Sequence, residues 1–122
     1  MLKGQYRLRE NARFREIYSA HKLKSGQLVT IYRLKTESTS RYGFVVSKKV
    51  GKAHVRNRTK RRLSEIIRLH IDELTQGYDV VIVAKPQSAA ASYKELEKDL
   101  LSTLKKGGLY GKSFSHFSHS RL

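Results

Sequence analysis

Residues 47–62, SKKVGKAHVRNRTKRR, hold eight lysines and arginines in sixteen positions and no acid. Charge at that density restricts what the chain can become. Like charges must be spread through solvent as a basic tail, or laid out on one face of an ordered element that meets an anion. The residues that follow decide between these. On a helix from about Val55 to Leu74, residues Thr59, Leu63, Ile66, Ile67, His70 and Leu74 fall on one side at about 100° per residue. Opposite them lie Asn57, Arg61, Ser64 and Arg68, flanked by Arg58 and Lys60. A tail would show no such sorting. The stretch therefore opens an amphipathic helix, with its apolar side on a sheet and its charge in water.

Such a face suits phosphate. Arginine offers a planar fork that grips two oxygens, and lysine acts as a point charge. Asn57, set between two arginines, can donate to or accept from a sugar or a base edge. The helix N-terminus, reached through Gly51 and Lys52, adds free backbone N–H groups and the positive end of the helix dipole. The whole chain shares the bias, with 26 basic residues against 10 acidic and a net charge of +16. Self-repulsion on that scale falls when a polyanion neutralises it, and nucleic acid is the leading partner.

The rest of the chain supplies the sheet. Asn11 reads as the N-cap of a first helix carrying Phe14, Ile17 and Tyr18. QLVTIYRL (27–34) and YGFVVS (42–47) read as strands, the second apolar on both faces and so central. The basic helix follows and ends ahead of Gly77. YDVVIVA (78–84) is a buried strand stopped by Pro86. Ser92 and Glu95 form a capping box for a last helix with Leu96, Leu100 and Leu104 on one side. The class is α/β (α+β) in two layers, as one domain over residues 1–110. Residues 111–122, rich in Ser and His, read as a flexible basic tail.

Several function classes drop out. There is no cysteine for disulfides or thiolate metal sites. No apolar run approaches the roughly 18 residues of a membrane span, and the N-terminal residues lack the apolar segment of a signal peptide. A soluble, cytoplasmic protein with no membrane partner is expected. His116 and His119 lack a third ligand, so no metal site is expected. Asp72 and Glu73 diverge on a helix, Asp79 and Glu65 have no partner evident in the sequence, and no catalytic residue is assigned.

GFVVSKKVGKAHVRNRTKRRL closely resembles the signature of the bacterial ribonuclease P protein subunit: Ser-Lys-Lys ahead of a glycine, then Arg-Asn-Arg-x-Lys-Arg opening a helix. NARFREIYSAHK, LVTIYRL and YDVVIVAKP extend the resemblance over most of residues 5–110. It implies a sandwich with a sheet of about four strands, three helices and a left-handed β-α-β crossover, where general rules favour a right-handed one. It also implies a partner, the catalytic RNA subunit, with which the protein removes the 5′ leader from precursor tRNA. The RNA supplies the chemistry and requires Mg²⁺. The protein alone binds no cofactor, cleaves nothing and needs no obligate protein partner.

Carried over by position, the residues that resemble the RNA-facing signature are Ser47, Lys48, Lys49, Lys52, Arg56, Asn57, Arg58, Lys60 and Arg61, with Arg68 further along the helix. Phe14, Tyr18 and Tyr32 match aromatic positions of a cleft that holds the single-stranded leader. Aromatic stacking tolerates any base, which suits a leader of variable sequence. Aromatics at these spacings also serve as core. Ser64 departs from the pattern, since many members carry arginine there. A structural RNA-binding protein of ribosomal type is the alternative for a chain of this charge and size.

Overall fold

The computed structural model describes residues 2–111. Three helices, α1 (Asn11–Ser19), α2 (Ala53–Leu69) and α3 (Tyr93–Lys106), accompany four strands, β1 (Leu23–Ser25), β2 (Val29–Lys35), β3 (Arg41–Val45) and β4 (Tyr78–Ala84). The sheet order is β1-β2-β4-β3, so β3, expected to be central, is an edge strand, and β4 takes the inner place beside it. β2 pairs antiparallel with β1 and β4, whereas β3 and β4 run parallel. Parallel neighbours need a long connection, and α2 supplies it, so β3-α2-β4 is a β-α-β crossover.

Strand alternation divides the core. Val29 and Ile31 on β2, Tyr42 on β3 and Val80, Ile82 and Ala84 on β4 pack with Leu63, Ile66 and Ile67 of α2 and Leu96, Leu100 and Leu104 of α3. Burial at the centre of this cluster pushes the Tyr42 phenol up to about 12. Residues of opposite parity, Tyr32, Leu34, Val45, Val81 and Val83, face α1 with Phe14, Ile17 and Tyr18. One face of the sheet thus carries two helices, and among the described residues the other carries the nine-residue α1 together with Leu8 of the N-terminal segment.

Helix boundaries differ from the sequence expectation in two places. Glu10, not Asn11, occupies the α1 N-cap, and it makes no side-chain cap bond. Its carboxylate is instead held by Arg41 Nη1 at 3.2 and 3.3 Å, a tertiary contact that local propensity does not register. α2 begins at Ala53 and stops at Leu69, short of Leu74. The apolar spacing persists through Ile71 and Leu74, but the backbone tightens into a 3₁₀ turn at Ile71–Glu73. α3 carries the expected capping box, with both Ser92–Glu95 bonds formed. Gly111, expected in the tail, donates its N–H to the Glu73 carbonyl. The remainder of the tail, His116 and His119 included, lies outside the described residues. No described helix is long and apolar enough to cross a membrane.

Candidate nucleic-acid interface

The basic surface is built from a turn and the first half of a helix. After β3, the Ser47 carbonyl accepts the Val50 N–H and Ser47 Oγ accepts the Lys49 N–H, which holds Ser47, Lys48 and Lys49 in an exposed turn. Val50 anchors this turn in the core. Gly51, with φ at +152°, then reverses the chain into α2, in a region that residues with side chains rarely adopt. Lys52 stands at the N-cap without a side-chain cap bond, so the first-turn N–H groups of α2 have no side-chain acceptor in an exposed turn. From there Asn57, Lys60 and Arg61 are exposed on one face.

Arg56 and Arg58 are half-buried. Arg58 Nη2 donates to the Ala89 carbonyl at 3.5 Å, and Arg62 Nη1 to the Ala91 carbonyl at 3.2 Å, so both dock α2 on the Pro86–Ala90 turn and its exit. Arg56 Nε is buried without an acceptor among the described residues. Arg58 is therefore partly a structural strut rather than a fully presented cation.

The far end of the face departs from expectation. Helical spacing puts Ser64 opposite the apolar stripe, but it is buried, with its Oγ accepting the Leu2 N–H at 3.3 Å. The N-terminal segment lies across α2 there, and a contact 62 residues distant leaves no trace in helical periodicity. One turn on, Arg68 grips Glu65 through Nε and Nη2 at 3.0 and 2.5 Å. That hydrogen bond draws the Glu65 carboxyl below its usual range and raises Arg68. Glu65 was expected to have no partner; it has one, and Arg68 is correspondingly committed. The open basic face runs from Ser47 to Arg61 and stops.

On the other side of the sheet, α1 covers one end only. Its seat is a buried carboxylate. Asp79 is fully buried at the start of β4 and receives Arg13 Nε at 2.7 Å, Arg41 Nη2 at 2.9 Å and Arg41 Nε at 3.2 Å. Arg13 also donates to the Lys35 carbonyl at 3.0 Å. The Asp79 hydrogen bonds are the main reason both guanidinium groups titrate above the ordinary arginine value, against the opposing effect of burial. This latch, with partners 38 and 66 residues away, replaces the partnerless Asp79 expected from sequence. A lone acid opening an otherwise apolar strand was the available signal, because a buried carboxylate requires partners.

Beyond the latch the face opens. Phe14, Tyr18 and Tyr32 come together there, half-buried over Ile17 and Val81, with Val45 and Val83 further along the strands. The Tyr18 and Tyr32 rings meet edge to face, with centroids 4.8 Å apart. Desolvation, then the neighbouring Tyr32, raises the Tyr18 phenol. The three aromatics are thus packed on this cluster and remain partly open to solvent.

A model of the family described as Ribonuclease P matches residues 2–108. The chain belongs to the ribonuclease P protein family. The ribonuclease P protein component of Alkaliphilus oremlandii is 44% identical over 109 residues, which cover 88% of this chain and 96% of that one. The Staphylococcus aureus RNase P protein superposes with a TM-score of 0.81 at 25% identity, over 86% of this chain and 97% of its own. The Thermotoga maritima RNase P protein does so at 0.76 and 28%, over 82% and 96%. The ribonuclease P family assignment makes this chain a protein subunit of an endoribonuclease of tRNA processing, associated with an RNA subunit. Within the ribonuclease P family fold, the signature residues Ser47–Arg61 fall on one continuous surface and the aromatic trio on another.

Proposed function

We propose that the Ser47–Arg61 surface binds the catalytic RNA subunit, and that the half-open trough beside α1 holds the 5′ leader of precursor tRNA. The observation carrying this reading is the division of labour between the two faces of the sheet. One presents Lys48, Lys49, Lys52, Asn57, Lys60 and Arg61 without an acid among them, which suits a phosphate backbone. The other presents Phe14, Tyr18 and Tyr32 over strands left bare by a short α1, which suits stacking of unpaired bases.

In this proposal the RNA supplies the reacting groups and the magnesium, and the protein supplies affinity. The protein orients the leader and screens charge between two RNAs.

Binding constants test it. With about five phosphates neutralised, log affinity for the RNA subunit falls against log salt with a slope of roughly −3.5 to −4.5. A nearly salt-independent affinity contradicts phosphate-dominated binding. Phe14→Ala in the reconstituted complex weakens precursor tRNA more than mature tRNA, and equal losses would reduce Phe14 to core.

A further inference from the structure

We infer that the cavity at the outer edge of β3, whose lining includes Arg7, Arg9, Lys60, Phe14 and Phe44, is a further nucleotide subsite that continues the leader trough around the sheet toward α2. The inference rests on the proposed function, since it extends the strand held in the trough.

The place is an unfinished sheet edge. β3 is the last strand in the order, and its outer edge is paired among the described residues only by the bridge from Arg7 to Tyr42, with the Leu8 N–H on the Tyr42 carbonyl at 3.0 Å. Two residues on, the Phe44 peptide group points to the same edge, because strand geometry repeats every second residue. The N-terminal segment closes one end of this edge and leaves a cavity of about 230 Å³ beside it.

The lining has the composition of a single-stranded nucleic-acid site. Arg7, Arg9 and Lys60 are exposed, and none pairs with a carboxylate among the described residues. They come from two separate segments, so their convergence is a product of the fold rather than of one basic run. Phe14 and Phe44 are the half-buried rings of the lining, whereas Tyr42 is buried in the core, and Phe14 belongs both to this cavity and to the trough cluster. Lys60 likewise belongs to the α2 face. A strand leaving Tyr18 and Tyr32 across Phe14 therefore meets cations for its phosphate and rings for its base at the next position. The Phe44 peptide, unpaired on this edge among the described residues, adds a donor and an acceptor to a base edge without demanding a sequence.

The test uses the complex reconstituted with the catalytic RNA, comparing wild type with Arg7→Ala/Arg9→Ala and Phe14→Ala on precursor and mature tRNA across a salt series. Arg7 and Arg9 are exposed, and the bridge at Arg7 uses backbone only, so the double variant folds; its circular dichroism verifies this. The expected result is a several-fold loss for precursor tRNA, a salt slope reduced by about 2 for two phosphate contacts, and unchanged affinity for mature tRNA and the RNA subunit. Equal losses on precursor and mature tRNA, or no loss on either, overturn the subsite. If Phe14→Ala shows leader selectivity and the double variant does not, only the subsite fails. If neither does, the trough itself is not the leader site.

Discussion

The ring of Phe14 rests on the backbone of Gly43. A Cβ at residue 43 would stand 2.5 Å from Phe14 Cζ and 2.8 Å from Cε1, closer than carbon atoms approach in folded proteins. The helix that walls the trough is thus set at its height by the absence of one carbon on β3. Gly43→Ala must push the ring outward or bend the strand, at a cost of about 1–3 kcal/mol by overpacking. Denaturant unfolding measures it. Combined with Phe14→Leu, the same alanine costs less, and strict additivity of the two would show that ring and strand do not touch.

Asp79 predicts a larger effect. Asp79→Ala removes the shared acceptor of two partly buried guanidinium groups and is expected to destabilise by about 3–5 kcal/mol. Glu16 pairs with the same Arg13 but is 63% exposed, and Glu16→Ala should cost no more than about 1 kcal/mol. Similar losses for both would mean that α1 is not latched through Asp79.

His70 ties stability to pH. Its Nδ1 lies 3.1 Å from Glu73 Oε1 and its Nε2 2.9 Å from Glu97 Oε2, while the Tyr110 hydroxyl donates to Glu73 Oε1 at 2.7 Å. A neutral imidazole has one N–H and satisfies only one of these carboxylates; the imidazolium satisfies both. Burial pulls the ring toward neutrality, but the Glu97 and Glu73 bonds outweigh it and its titration point is raised. A raised folded value means that the native state holds its proton longer than the unfolded chain. The stabilisation is complete below about pH 6.5 and is lost as pH climbs through the higher folded value. Thermal midpoints from pH 6 upward should fall more steeply for the native chain than for Glu97→Gln, and parallel curves would contradict the assignment.

Arg61 and Arg68 separate the open face from the committed one. Arg61→Ala should weaken binding of the RNA subunit and reduce the salt slope by about 1. Arg68→Ala, already paired with Glu65, should change both less. A filter-binding salt series distinguishes them, and an equal or larger effect at Arg68 would place the RNA further along α2.

What the sequence disclosed was short-range. The apolar stripe of α2, the capping box of α3 and the charge sorting around Asn57 and Arg61 all depend on residues within a turn or two of one another. β1 is three exposed residues, Leu23–Ser25, and exists because Tyr32, Ile31 and Thr30 offer it an edge. Nothing in Leu-Lys-Ser announces a strand. Ser64 is buried because the N-terminal segment crosses α2, and Asp79 is satisfied because α1 and β3 deliver arginines from opposite directions. The trough residues were named through resemblance, whereas their half-burial follows from the shortness of α1 and from Gly43.

The protein's role as a subunit of the RNA enzyme is tested by cleavage of precursor tRNA with a bacterial-type ribonuclease P RNA at low magnesium, with and without this protein. The RNA alone is expected to be nearly inactive in that condition, so restored activity would come from the protein's affinity and charge screening. Rescue with cleavage at the mature 5′ end, and no cleavage by the protein alone, is the expected outcome. Tight RNA binding without rescue, or cleavage in the absence of the RNA, would contradict it.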